Sequence, residues 1–176
     1  EVTFYNAGHI PGSAHVLVDD GETRLLYTGD YHTDRQRLVT ETTARPDADV
    51  VVTESTYSDV EHSERDRLEA SFVESVRTTL WQGGTVVVPV FAIGRAQEIL
   101  LLCAANDIDC YLDGMAREIT RTLRQYPDYV RDPAALRRAA RQERDRMLAV
   151  AAGLAEAGVP VRLAEGELIG LHIIEP

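Results

Sequence analysis

The chain has 176 residues, 44% of them hydrophobic, which is the size of one ordinary domain with a core of its own. No apolar run reaches the roughly 18–20 residues of a membrane span, and no charged-then-apolar leader is visible. Acids outnumber bases 29 to 18, for a net charge of −11, a balance that argues against nucleic-acid binding at ordinary salt.

Residues 2–6 alternate Val and Phe against Thr and Tyr and read as a strand. "AHVLVDD" (14–20) is a second strand, and "TRLLYTGD" (23–30) a third that closes a hairpin through a Gly-Glu turn. "ADVVVTEST" (48–56) is a continuous apolar run, the pattern of a strand buried on both faces. From His62 to Gln82 the period changes to that of a helix, with Leu68, Phe72, Val76 and Leu80 as its apolar stripe. Arg65 and Glu69 stand one turn apart on it, and Gly83-Gly84 stops it. "TVVVPVF" (85–91) predicts another buried strand, 94–106 a helix and "DCYLDG" (109–114) a short strand. This βαβ order predicts a parallel sheet with right-handed crossovers. Helices follow over 115–127 and 133–157, the second opened by Pro133. The tail predicts one or two strands. The first residue already lies in a strand and is not Met, so the natural start is expected upstream.

All 18 bases are arginine. An acidic, lysine-free surface suits a cytoplasm of high salt, where self-repulsion is screened. In molar salt the argument against nucleic acid weakens, because counterion release no longer drives binding. Cys103 and Cys110 fit neither a CxxC nor a zinc-finger spacing and read as reduced thiols.

Two residues stand beside glycine at strand ends. His9 follows a strand and precedes Pro11-Gly12-Ser13, and Asp30 follows Gly29. Imidazole plus carboxylate is a zinc donor set of hydrolytic sites, and a carboxylate can bridge two metals. Either residue alone is as consistent with an ordinary turn. Glu54 ends an apolar strand and is either a capping or turn group or a group facing the same cleft as Asp30. In "PVFAIGRAQEIL" Arg95 opens a helix whose free N–H groups and guanidinium fork suit phosphate, or it is simply solvated. "YLDGMAREIT" repeats the design with Arg117.

Taken in order, "NAGHIPGSA", "LLYTGDY", "VVTESTYS", "GGTVVVPVFAIGRAQEIL" and "YLDGMAREIT" resemble the β-CASP branch of the metallo-β-lactamase superfamily. The nearest likeness is to archaeal relatives of the nuclease subunit of the cleavage and polyadenylation specificity factor; ribonuclease J is more distant. The likeness spans roughly residues 1 to 130. It implies an α/β chain in which residues 1–57 are the C-terminal portion of an αββα metallo-β-lactamase sandwich. Residues 58–164 would be a parallel-sheet β-CASP segment, divergent after about 131, and residues 165–176 a tail strand. It implies zinc, two ions in a complete site, with His9 a ligand of one and Asp30 the bridge. It makes Glu54 the acidic residue that supports a catalytic histidine; Arg95 and Arg117 stay candidate phosphate contacts on the strength of their helix starts. The reaction implied is hydrolysis of RNA by a metal-bound hydroxide.

The departures shape the expectation. No His-x-His occurs in the chain, so the family's His-x-His-x-Asp-His motif is expected upstream. Two ligands cannot hold a dinuclear site. His172 lacks the small residues that surround a family ligand; His32 and His62 are expected exposed, and His15 near the site without ligating. Three functions remain: a ribonuclease of which this chain is an incomplete or inactive part, a non-catalytic RNA-binding or assembly partner, and a DNA-processing relative. Part of a two-sheet sandwich leaves an apolar face, so a homodimer or partner chain is expected. No membrane association is expected, and the cytoplasm is the expected location.

Overall fold

The computed structural model describes residues 1–158, together with the backbone of 161–164 and 167–171; His172 lies outside the described residues. Four strands form one sheet in the order β1 (Val2–Asn6), β2 (Ala14–Asp19), β3 (Arg24–Tyr27) and β4 (Val50–Val52). The first two pairings are antiparallel, and β3–β4 is parallel. The β2–β3 turn is built by Asp20, whose carboxylate accepts from the Glu22 and Thr23 amides at 2.9 and 2.8 Å. Four helices follow: α1 (Arg65–Trp81), α2 (Arg95–Ala105), α3 (Met115–Gln125) and α4 (Pro133–Glu156). Pro133 opens α4 behind Asp132, whose side chain accepts from the Ala135 amide at 2.8 Å. β5 (Val161–Ala164) and β6 (Glu167–Leu171) pair as an antiparallel hairpin. No helix of the described residues is long and apolar enough to cross a membrane.

The core lies among the helices. Leu100, Leu101, Leu123, Leu136 and Ala139 pack together, and Leu38 and Val39, from the long β3–β4 connection, insert between them. A second cluster joins Val73 and Val76 of α1 to Leu102 and Cys103 of α2. Both cysteines are free thiols. A hydrogen bond between them lowers Cys103 below the usual thiol range and, with burial, raises Cys110 above it.

Three expectations need correction. Among the described residues 85–91 and 109–114 pair into no sheet, and Val87 and Phe91 are 84% and 83% exposed. An apolar run becomes a strand only where a neighbour's N–H and C=O groups bond to it, and no described strand pairs with either stretch. β4 is not buried on both faces: Val50, Val51 and Val52 are all exposed, since β4 is an edge strand. On α1 the buried positions are Val73 and Val76, while Leu68 and Leu80 are exposed. The first turns of α1 carry side-chain ion pairs instead, through Arg65 and Glu69.

The register explains the sheet's surface. Val2 and Phe4 of β1, Val16 and Val18 of β2, Leu25 and Tyr27 of β3, and Val50 and Val52 of β4 share one face, and most of them are exposed. The opposite face carries Leu17, Leu26 and His15, all buried.

Charge pairs tie α1 and α2 to the connection. Arg37 donates to Glu69 at 2.6 Å, and Arg65 donates to Glu69 at 3.0 Å and to Glu98 at 2.8 Å. Burial raises the Glu69 carboxyl, but the two guanidiniums outweigh it, and its pKa falls below the ordinary value of 4.5. A depressed folded-state pKa stabilises above the ordinary value and is lost as pH falls through the folded one. Glu69→Gln is therefore expected to cost about 1–3 kcal/mol at neutral pH. It should also flatten the fall in Tm below about pH 4.5, read by thermal denaturation across a pH series.

Candidate functional site

The site forms where β1 and β3 end. After β1 the chain makes a tight loop over Ala7–Ser13, closed by the Ala7 amide on the Ser13 carbonyl at 3.1 Å. Ser13 Oγ accepts from the His9 and Ile10 amides at 3.1 and 3.2 Å. Beneath the loop Gln36, a buried side chain, donates to the Gly8 carbonyl at 2.6 Å and to that of His9 at 3.3 Å. Gly8 has φ +72°, and a Cβ there would lie 2.4 Å from the Thr42 nitrogen and 2.5 Å from the His32 oxygen. Only glycine fits between these backbones.

His9 and Asp30 meet. His9 Nε2 lies 3.9 Å from Asp30 Oδ2, with the side chains 42% and 70% exposed. Glu54 joins them from the end of β4: its Oε1 accepts from the Tyr31 amide at 3.2 Å and its Oε2 from that of Thr56 at 3.4 Å. Thr56 first and the Tyr31 amide next hold this carboxylate below the usual range, and His9 adds a smaller electrostatic pull.

Arg95 stands at the same end, exposed at the first position of α2. A Cβ on Gly94 would come 2.8 Å from Ile10 Cγ2, so α2 abuts the His9 loop directly. Arg117 is not brought here. It lines a cleft between α3 and α4 with Arg121, Arg124 and Arg144, which shares no lining residue with the His9 loop.

The remaining histidines divide. His15 is buried, with Nδ1 2.8 Å from the Thr28 carbonyl and Nε2 3.1 Å from Thr42 Oγ1, which leaves no ring nitrogen for a metal. Its ring centroid lies 5.8 Å from that of Tyr31 beside Asp30, near the site as expected. His62 is exposed against Tyr57. His32 departs from expectation: it is half-buried, and its Nε2 is enclosed without a hydrogen-bond partner. The segment after Asp30 folds back under the loop, where the His32 amide bonds the Ala7 carbonyl at 2.9 Å. Burial lowers the His32 pKa, Asp34 opposes this, and Arg65, His9 and Arg95 reinforce it.

His9 and Asp30 are donors of the kind zinc takes in hydrolytic sites. Among the described residues no group of three His, Cys, Asp or Glu side chains is arranged to hold a metal ion. The donor chemistry fits and the number does not: two donors are part of a set.

The chain is 39% identical over 141 residues to "Probable RNase MJ4" of Methanocaldococcus jannaschii, covering 77% of this chain and 33% of that protein. It is 36% identical over 143 residues to "RNase aCSPSF2" of Saccharolobus solfataricus, covering 79% and 29%. It is 37% identical over 142 residues to "Transcription termination factor FttA" of Methanothermobacter thermautotrophicus, covering 73% and 22%. This chain belongs to the β-CASP branch of the metallo-β-lactamase superfamily, among its archaeal members. It spans about a third or less of the length of these relatives. No family model matches it.

Several residues that organise this candidate site escape sequence reading. Gln36 and His32 sit in a polar stretch with no periodicity. Gln97 and Glu98 fall inside "GRAQEIL", where only the arginine draws attention. Their partners are far off in sequence, which no spacing rule reveals. Gly8→Ala is expected to cost at least about 2 kcal/mol, from left-handed strain plus the forced separation of packed backbones. Urea denaturation measures it, and an unchanged midpoint would show that the loop is not packed as described.

Proposed function

We propose that this chain is part of a metal-dependent nuclease that hydrolyses RNA phosphodiester bonds, in 3′-end processing or decay of transcripts. The observation that carries the reading is the convergence of His9 and Asp30, 3.9 Å apart and open to solvent at adjoining strand ends. The names of the relatives, two ribonucleases and a transcription termination factor, support RNA as the substrate. In this reading residues 1–57 are part of the αββα sandwich and 58–164 the β-CASP segment. The setting is a cytoplasm of high salt.

His9, through Nε2, and Asp30, through its carboxylate, would hold zinc. An ion there polarises a phosphoryl oxygen as a Lewis acid. The chain's own residues position and bind. Gln36 and Ser13 fix the loop that aims His9, and Glu54 holds the backbone next to Asp30 through the Tyr31 amide. Glu54, whose carboxyl is held below the usual range, would accept a hydrogen bond from a catalytic histidine. Arg95 offers a guanidinium fork to a phosphate at the same end, and Arg117 engages the strand farther along. A second reading, a non-catalytic RNA-binding or assembly partner, is favoured by the apolar sheet face, which a second copy or a partner chain would cover.

Zinc titration of the 176-residue chain tests the ligand assignment. Binding is expected well short of the roughly 10–16 kcal/mol of complete structural zinc sites, and to vanish in His9→Ala and Asp30→Ala. No chelator-sensitive cleavage of RNA is expected from this chain alone; robust cleavage would mean that further ligands complete the site. Competition between matched RNA and DNA oligonucleotides is expected to favour RNA, and a preference for DNA would move the reading to a DNA-processing β-CASP protein.

A further inference from the structure

Half of the chain's arginines fall in one stretch. From Arg117 to Arg146 stand nine of the 18, with five acids among them. This segment of α3 and α4 therefore carries a surplus of four positive charges in a chain whose net charge is −11.

Helical geometry sorts these side chains into rows. Arg117, Arg121 and Arg124 recur at i, i+4 and i+7 on α3, and Arg137, Arg141 and Arg144 repeat the spacing on α4. Each row flanks a buried stripe: Ala116, Thr120 and Leu123 on one helix, Leu136, Ala140 and Glu143 on the other. The α3 row and Arg144 line opposite walls of one cleft. Arg124, Arg137, Arg141 and Arg144 are exposed. Arg144 reaches sideways to its chain neighbour Asp145, at 3.0 Å, an exposed pair that solvent screens. Arg146 donates to Asp109 at 2.7 Å, and Arg117 and Arg121 have interactions of their own.

Like charges one turn apart repel, and exposed arginines contribute little to the core. Arg124 and Arg144 at the cleft, with Arg137 and Arg141 exposed farther along α4, make a basic surface that suits a polyanion. Guanidinium forks bind phosphate oxygens bidentately and without regard to sequence. Exposed Tyr126 and Tyr129, just beyond α3, add faces on which bases can stack. The rows are linked to the candidate site through α2. Gln97, in the first turn of α2, donates to the Ala116 carbonyl and to Thr120 Oγ1 at 3.3 and 3.0 Å. That same turn abuts the His9 loop through Gly94 and Ile10.

We propose that the arginine rows of α3 and α4 form a track for the phosphodiester backbone of single-stranded RNA, holding the strand as it leaves the His9–Asp30 end. The proposal rests on the reading of RNA as substrate.

The test is fluorescence anisotropy of a labelled single-stranded RNA with the full chain over a salt series. The variants are R124Q/R137Q/R141Q/R144Q, the same four positions changed to Lys, and R67Q on α1 as the control. The glutamine variant is expected to bind at least about tenfold more weakly, with a salt slope shallower by about 0.7 for each phosphate no longer neutralised. The lysine variant is expected to keep most of the slope, and R67Q, an exposed arginine of α1, to bind as the wild type. Circular dichroism of the glutamine variant checks that α3 and α4 persist; if they do not, R137Q/R141Q, which changes only two exposed side chains, reads the charge dependence instead. Unchanged affinity in a folded glutamine variant would overturn the track while leaving the nuclease reading intact. Arginine-dependent binding of poly-glutamate with no binding of RNA by the wild type would overturn it too, in favour of an acidic protein partner.

Discussion

One buried carboxylate holds the two halves of this chain in register. Glu98 accepts from the Leu38 amide at 2.6 Å, from the Arg37 amide at 3.2 Å and from the Arg65 guanidinium at 2.8 Å. An uncompensated charge at that depth would be costly, so the three donors must stay in place together. They fix the backbone of residues 37 and 38, which sets Leu38 into the helical core and leaves Gln36 beneath the His9 loop. Arg131 adds a clasp from the far side, donating to the Gln36 carbonyl at 2.7 Å. The sheet meets the helices through this segment and through the Gly94–Ile10 contact.

Gln97, the residue before Glu98, faces the other way. Its Oε1 accepts from the Gly94 amide at 2.8 Å, and its Nε2 reaches the Ala92 carbonyl at 2.9 Å as well as α3. Two adjacent side chains in one helical turn thus order both neighbours of α2. Arg95, two residues earlier, is presented by a turn that has little freedom to move. A flexible, well-hydrated side chain on a rigid base suits a phosphate contact, because the ordering cost falls on the side chain alone.

Much of the fold could be read from periodicity. The strands β1 to β3 and all four helices begin and end within a few residues of where pattern and punctuation place them, since Gly83-Gly84, Pro133 and the Asp20 turn act locally. The Arg65–Glu69 pair was legible for the same reason. What failed depended on neighbours. Val87 and Phe91 look like a strand interior, yet a strand exists only with a partner, and a row of letters does not say whether one is present. Val51 looks buried for the same reason. His9, Asp30 and Glu54 were individually ambiguous, and their order among the motifs singled them out better than their chemistry did. Gln36, His32, Gln97 and Glu98 could not be found this way, because their roles are set by groups up to 61 residues distant.

The Arg131 clasp carries a consequence for the order of assembly. Its two bonds, to the Gln36 carbonyl and from its own amide to the Leu38 carbonyl at 2.8 Å, join positions more than ninety residues apart. Closing so long a loop is slow, because its entropy is lost before the contacts repay it. The hairpin of β2 and β3 can form early from near neighbours. The support under His9 is complete only after the chain has been made as far as α4. On an emerging chain the His9 loop is therefore the last part of the sheet end to become rigid, and His9 and Asp30 are held loosely until then.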